Sequence, residues 1–374
     1  MDGIVKLDRG AAPLAAPLLL SLLPFTTRQR YQPPAPPAPR KDPGMTPDGL
    51  SALSDSLFSA AIAVYSVALV AFSAELAFGR RDTLRAERRP STVARVGAPA
   101  PGDEARYAED PSPARESDAS THRWGLAGLV LTGLGAVLHA GVLITRSAAT
   151  GRVPWGNMYE FGTASVLVGV VAYLVVAMRV PGVRRIGAFV LGLAVFGLVL
   201  IGLYLYAAAG PLIAALRSDW LVVHVSAAIM SFGIFMVSGV ASALYLARVR
   251  HDKRFPADGP QSTGLAVKLP AAAVLDRVAH RTAIFGFPIW TFAVIAGAIW
   301  AESAWGRFWG WDPKETWAFI SWALYAAYLH ARSTAGWRGQ PAAWINLLAF
   351  ASLVFNLLFV NLVSTGLHSY GGVD

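Results

Sequence analysis

The sequence contains no cysteine. That absence excludes a disulfide scaffold, thiolate metal ligands, iron–sulfur clusters and any thiol chemistry performed by the chain itself. Charge is also scarce, at 15% of residues against 55% apolar. A soluble core of this size would show shorter, periodic apolar faces rather than runs near twenty residues, so the composition is that of a polytopic membrane protein. The net charge of +9 would suit nucleic acid, but in a membrane protein Lys and Arg first fix topology, so no nucleic-acid partner is inferred.

Eight apolar runs are expected to span a bilayer: Leu57 to Phe78, Trp124 to Thr145, Phe161 to Met178, Ile186 to Ala209, Trp220 to Ala247, Thr282 to Ala301, Pro313 to Ala331 and Ala342 to Thr365. The predicted fold is therefore an all-α integral membrane protein of about eight transmembrane helices, with a Trp-rich interfacial segment on its outer side. Loops carrying nine (79–123), three (179–185), seven (248–281) and two (332–338) Lys/Arg alternate with poorer ones holding Arg146 and Arg152, Arg217, and Arg307 and Lys314. The positive-inside rule places the rich loops in the cytoplasm and both termini outside. The chain divides into an N-terminal extension (1–56), signal-like or disordered with Met45 as an alternative start, and a first transmembrane helix (57–78). A basic, disordered cytoplasmic loop (79–123) and a membrane core (124–374) complete it.

Five of the twelve tryptophans fall within 301–322, AESAWGRFWGWDPKETWAFISW. Helical spacing would put Trp305, Phe308 and Trp309 on one face with Gly306 and Gly310 on the neighbouring strip, and Trp311 would extend this shelf for a large flat apolar ligand. An interfacial tryptophan belt is the plainer alternative. Asp312, Pro313 and Glu315 read as N-cap, N1 and N3 of a capping box that starts the seventh helix. Lys314 at N2 is unfavourable at the positive helix end, which makes it, with Arg307, a candidate to meet an anion. Arg146 and Arg152 are further candidates.

By topology, His224 and His368 share the outer level of the tryptophan segment. Two imidazoles beside an aromatic wall suit bis-axial ligation of haem iron, whereas zinc would want three or four ligands. His139 lies in the outer half of the second helix and His330 near the cytoplasmic end of the seventh, where it is a candidate ligand for a second haem. The asparagines of the last helix and the serines of the fifth read as interhelical bridges.

WGRFWGWDPKETWAFISW resembles the WWD signature of the haem-handling proteins of cytochrome c maturation, in the form found in the CcsA/ResC type of the system II pathway. GRVPWGNMYEF, the approach RTAIFGFPIWTFAVIAGAIWAESAW, and the closing AYLHAR and NLVSTGLHSYGG extend the resemblance from about Trp124 to the C-terminus. It implies a bacterial plasma-membrane protein acting in covalent attachment of haem b to apocytochromes c at the outer face, as the haem-presenting subunit of a haem lyase complex. It also implies three partners: a ResB-type membrane subunit, an apocytochrome c bearing CxxCH, and a thiol-reducing protein. His224 and His368 would bind haem outside and His330 would bind it within the membrane. A haem exporter or chaperone, and a transporter subunit without haem, are the competing readings.

Overall fold

The computed structural model describes residues 45–78, 113–212, 216–256, 264–364 and 366–368, of which 113–121 are described by backbone alone. The signal-like stretch and most of the basic loop therefore lie outside the described residues. Eight α-helices follow one another: α1 (Pro47–Phe78), α2 (Pro113–Thr150), α3 (Met158–Arg179), α4 (Gly187–Tyr204), α5 (Asp219–Arg254), α6 (Ala272–Trp305), α7 (Pro313–Ser333) and α8 (Gln340–Leu362). No strand occurs among the described residues. Seven of the helices are long and apolar enough to cross a membrane. The remaining one, α7, has 21 residues, enough for roughly 31 Å at 1.5 Å per residue, but its sequence carries Lys314, Glu315, His330 and Arg332.

Two boundaries differ from the expectation. α1 starts ten residues before the apolar run, because Thr46 caps it: the Gly49 N–H donates to Thr46 Oγ1 at 3.2 Å, Pro47 takes the first helical position and Asp48 sits in the first turn. α2 reaches back to Pro113 through PARESDAS, whose Ala, Arg and Glu favour helix, so the last part of the basic loop is helical.

Consecutive helices alternate in direction, and side chains tie the two ends of the bundle. At one end Arg146 (α2) and Arg152 both reach Glu160 (α3), at 2.9 and 2.8 Å, and Arg146 also donates to the Ala207 carbonyl beyond α4. At the other end Arg184 meets Glu75 of α1 at 2.6 Å and Arg332 of α7 meets Asp276 of α6 at 2.7 Å. Between the ends, polar groups join helices where lipid offers them no partner. Asn346 Nδ2 of α8 donates to Ser238 Oγ and Ser242 Oγ of α5 at 2.9 and 2.7 Å, the bridging expected for these residues. The outward surface is apolar, with Val70, Val137, Met178, Phe196 and Leu203 more than half exposed, as lipid-facing side chains must be.

Candidate functional site

At the end of the bundle that holds Arg146 and Glu160, a cavity opens to the surface between α5, α6, α7, α8 and the start of α3, its empty space about 800 Å³ with the open solvent at its mouth included. Its walls are mainly apolar and aromatic, and five polar side chains interrupt them: His224, Lys314, Glu315, Asn356 and His368. That balance, a few placed polar groups in an apolar concavity, is the usual make-up of a small-molecule site.

His224 lies one turn into α5. Its Nδ1 is 2.7 Å from the Ala293 carbonyl oxygen of α6, an acceptor only, so the neutral ring carries its proton on Nδ1 and its lone pair on Nε2. Gly297 makes the approach possible: a Cβ there would stand 2.7 Å from the imidazole. His368 follows α8, and its Nδ1 lies 2.9 Å from Asp312 Oδ1. Burial, the dominant influence, holds its pKa below the ordinary 6.5 despite the neighbouring carboxylate. Asp312 moves the other way from what burial alone would do. Burial raises it, but the hydrogen bond and charge of His368 and the N–H groups of Lys314 and Leu367 outweigh this and bring it down to about 2. The share owed to a charged His368 conflicts with burial keeping that ring neutral; the N–H donors act in either state, so the arrangement is a carboxylate facing a neutral imidazole. Both histidines are thus oriented through Nδ1, one by a carbonyl and one by a carboxylate, the outer-shell pattern of metal-ligating histidine.

Trp300 of α6 packs near both, its ring centroid 6.1 Å from His224 and 5.7 Å from His368. Trp305 packs on both Trp300 and His368, at 4.8 and 4.9 Å. Trp290, Phe161 and Phe232 continue the aromatic wall.

The tryptophan segment departs from helical spacing. α6 stops at Trp305, because Gly306 takes a left-handed conformation (φ 69°) as its C-cap, and 307–312 run irregularly to Pro313. Trp305, Phe308 and Trp309 nevertheless all line the cavity. Gly306 and Gly310 form no strip beside them: Gly310 donates its N–H to Glu315 Oε2 at 2.8 Å. Trp311 has a positive φ of 56°. It is 64% exposed and packs edge-on against Trp309 and Phe319 outside the cavity, so the shelf ends at Trp309. The capping box is present as expected. Asp312 and Glu315 do more than cap: Asp312 also accepts from the Leu367 N–H at 2.8 Å, fastening the His368 segment to α7, and Glu315 holds the Gly310 and Asp312 N–H groups and Arg307.

The remaining candidates stand apart. His139 is fully buried between α1 and α2, its Nδ1 3.3 Å from the Tyr65 hydroxyl, and it does not line the cavity. His330 is exposed near the far end of α7. Arg146 and Arg152 are spent on Glu160, which supports the loop carrying Trp155; that indole donates to Ser226 of α5 at 3.0 Å. Among the described residues no three His, Asp or Glu side chains cluster to hold a metal ion by themselves. Sequence reasoning did not single out Trp300, Gly297 or the cavity role of Asn356; Gly297 of α6 meets His224 of α5 only across two helices, far from it in the chain, so no local pattern gave a cue.

The helical bundle and the histidine-bearing aromatic cavity together define a multi-pass membrane protein built around one large site at one end. The chain belongs to the family described as Cytochrome C assembly protein, which it matches over residues 155–368. It is 34% identical over 286 residues to the cytochrome c biogenesis protein CcsA of Synechococcus elongatus, an alignment covering 66% of this chain and 87% of that one. It is 39% identical over 177 residues to the CcsA protein of Guillardia theta, covering 44% of this chain but 58% of the relative, and 42% identical over 179 residues to that of a Synechococcus strain, again covering 58%. Among solved structures it resembles the cytochrome c haem lyase CcmF, with a TM-score of 0.54 at 16% identity, over 84% of this chain and 47% of that one. At that identity the likeness concerns the fold.

Proposed function

We propose that the chain handles haem b in cytochrome c biogenesis and presents it at the outer face of the membrane for covalent attachment to apocytochromes c, as one subunit of a complex with a ResB-type partner. One observation carries this reading: two histidines from distant parts of the chain line a single aromatic cavity, each oriented through Nδ1 by an acceptor that leaves the lone pair on Nε2. Its tryptophan-lined walls suit a large flat ligand that would take a nitrogen donor from each histidine.

His224 and His368 would hold the iron, and Trp300, Trp305, Phe308 and Trp309 would hold the flat faces and edges. When bound, haem supplies an iron that accepts two nitrogens and two vinyl groups, across each of which a thiol S–H adds without net redox change. The residues of this chain would bind and orient, with no general base assigned among them, and the sulfur would come from the CxxCH segment of the substrate, consistent with a chain lacking cysteine. A thiol-reducing partner keeps that segment reduced. His330, exposed on α7 away from the cavity, would share a second haem with a ligand from the ResB-type subunit. On the charge count the cavity end of the bundle would face outward, with both termini on that side.

The test is the absorption spectrum of the protein purified with its partner. Wild type should carry a low-spin, bis-imidazole haem; His224→Ala and His368→Ala should each lose that signature while the complex remains assembled. A spectrum unchanged in both variants would overturn the assignment.

A further inference from the structure

We propose that Lys314 is the anion-binding residue of the cavity and takes a carboxylate of the ligand there, with the Asn356 amide beside it. This rests on the haem reading above, because a haem carries two propionates on one edge and none on the opposite one.

The cations at this end of the bundle differ in what surrounds them. Arg146 and Arg152 are neutralised by buried Glu160, and Arg307 is paired with Glu315 at 3.3 Å. Arg217 is exposed in a loop, its Nε on the Leu212 carbonyl. Lys314 lines the cavity and has no carboxylate partner among the described residues. Its ammonium is held by neutral groups, Asn361 Oδ1 at 2.5 Å and Met158 Sδ at 3.3 Å. These fix its position without cancelling its charge. The nearby carboxylate of Asp312 is committed to His368, Leu367 and the backbone N–H of Lys314. A partly buried cation whose nearby carboxylate, Asp312, attracts it without forming an ion pair is stabilised further when an anion arrives in the cavity.

Asn356 supplies an independent sign. It lines the same cavity, is 7% exposed, and its Oδ1 has no hydrogen-bond partner. Its Nδ2 makes only a 3.3 Å bond to the Lys314 carbonyl. Turning the amide end for end gives that up and presents Nδ2 to a carboxylate held by Lys314. Both groups reach the cavity from the side where α7, α8 and the start of α3 meet, while the wall from Trp305 to Trp309 is aromatic. A ligand with one acidic edge therefore has a preferred orientation, which decides which edge is left for reaction.

The experiment measures equilibrium binding of ferric haem and of its dimethyl ester, in which both propionates are capped, to the full chain purified in detergent with its partner. Wild type should prefer haem by roughly ten- to a hundredfold, the worth of one charge-assisted hydrogen bond. Lys314→Gln should bind the ester as wild type does and lose the preference; Lys314→Arg should keep it. A preference that survives in Lys314→Gln, or its absence in wild type, overturns the assignment. Should Lys314→Gln bind neither compound, Lys314→Arg decides, since a lost preference there also overturns it. A wild-type protein that binds neither compound overturns the haem reading itself, and this assignment with it.

Discussion

Asp312 connects three functions at the scale of a single side chain: it caps α7, orients the His368 ring and anchors the Leu367 backbone. Asp312→Asn keeps the volume but removes the charge that fixes His368, and it should weaken haem affinity by about ten- to a hundredfold, as loss of an outer-shell partner commonly does. Titration of purified protein with haem reads this directly. His368 must be neutral to ligate iron, and its pKa lies below 6.5 because burial disfavours the imidazolium. Proton competition should therefore leave haem affinity flat above about pH 6.5 and reduce it only as the pH falls below that value; a decline beginning at pH 8 would contradict the assigned environment. Gly297→Ala is the steric counterpart. Its Cβ would press on the His224 ring from 2.7 Å, so it should cost about 1–3 kcal/mol by overpacking and abolish the bis-imidazole spectrum.

At the scale of elements, the segment between α6 and α7 shows what could be read from the sequence and what could not. The capping box was legible because its geometry is local: Asp, Pro and Glu at fixed offsets must meet the first-turn N–H groups. Which aromatics of this segment line the cavity was legible only in part. A helical period carried past Trp305 put Trp311 beside the others, but the left-handed Gly306 ends the helix and turns Trp311 outward. Trp300 and Asn356 were not legible as site residues, because nothing in an apolar helix distinguishes the aromatic or amide that faces a cavity from one that faces a neighbour. Glu315 holds the irregular segment through Gly310 and Asp312. Glu315→Ala should destabilise this loop by ~1–2 kcal/mol, as loss of a cap does, and raise hydrogen exchange from 306 to 312 without melting the bundle.

For the whole molecule, the eight-helix architecture followed from apolar run length, and the shared level of His224 and His368 followed from counting crossings. α7 joins two regions: its first turn builds the cavity, and its last carries His330, exposed beside the Arg332–Asp276 pair. The two regions should be separable. His330→Ala should leave haem affinity at the aromatic cavity within about twofold, as expected for distant independent sites, yet reduce total haem recovered when the proposed ResB-type partner is present. Equal loss at both sites would contradict a division of labour along α7.

The central claim is that His224 and His368 ligate haem so that this chain can present it to thiols. Its most direct test is covalent haem on a CxxCH reporter co-expressed with the chain and its ResB-type partner, comparing wild type with His224→Gly and His368→Gly, with and without added imidazole. The account predicts attachment in wild type, little in either variant, and recovery when imidazole occupies the vacated ligand position. Attachment at wild-type level in both variants without imidazole would contradict it.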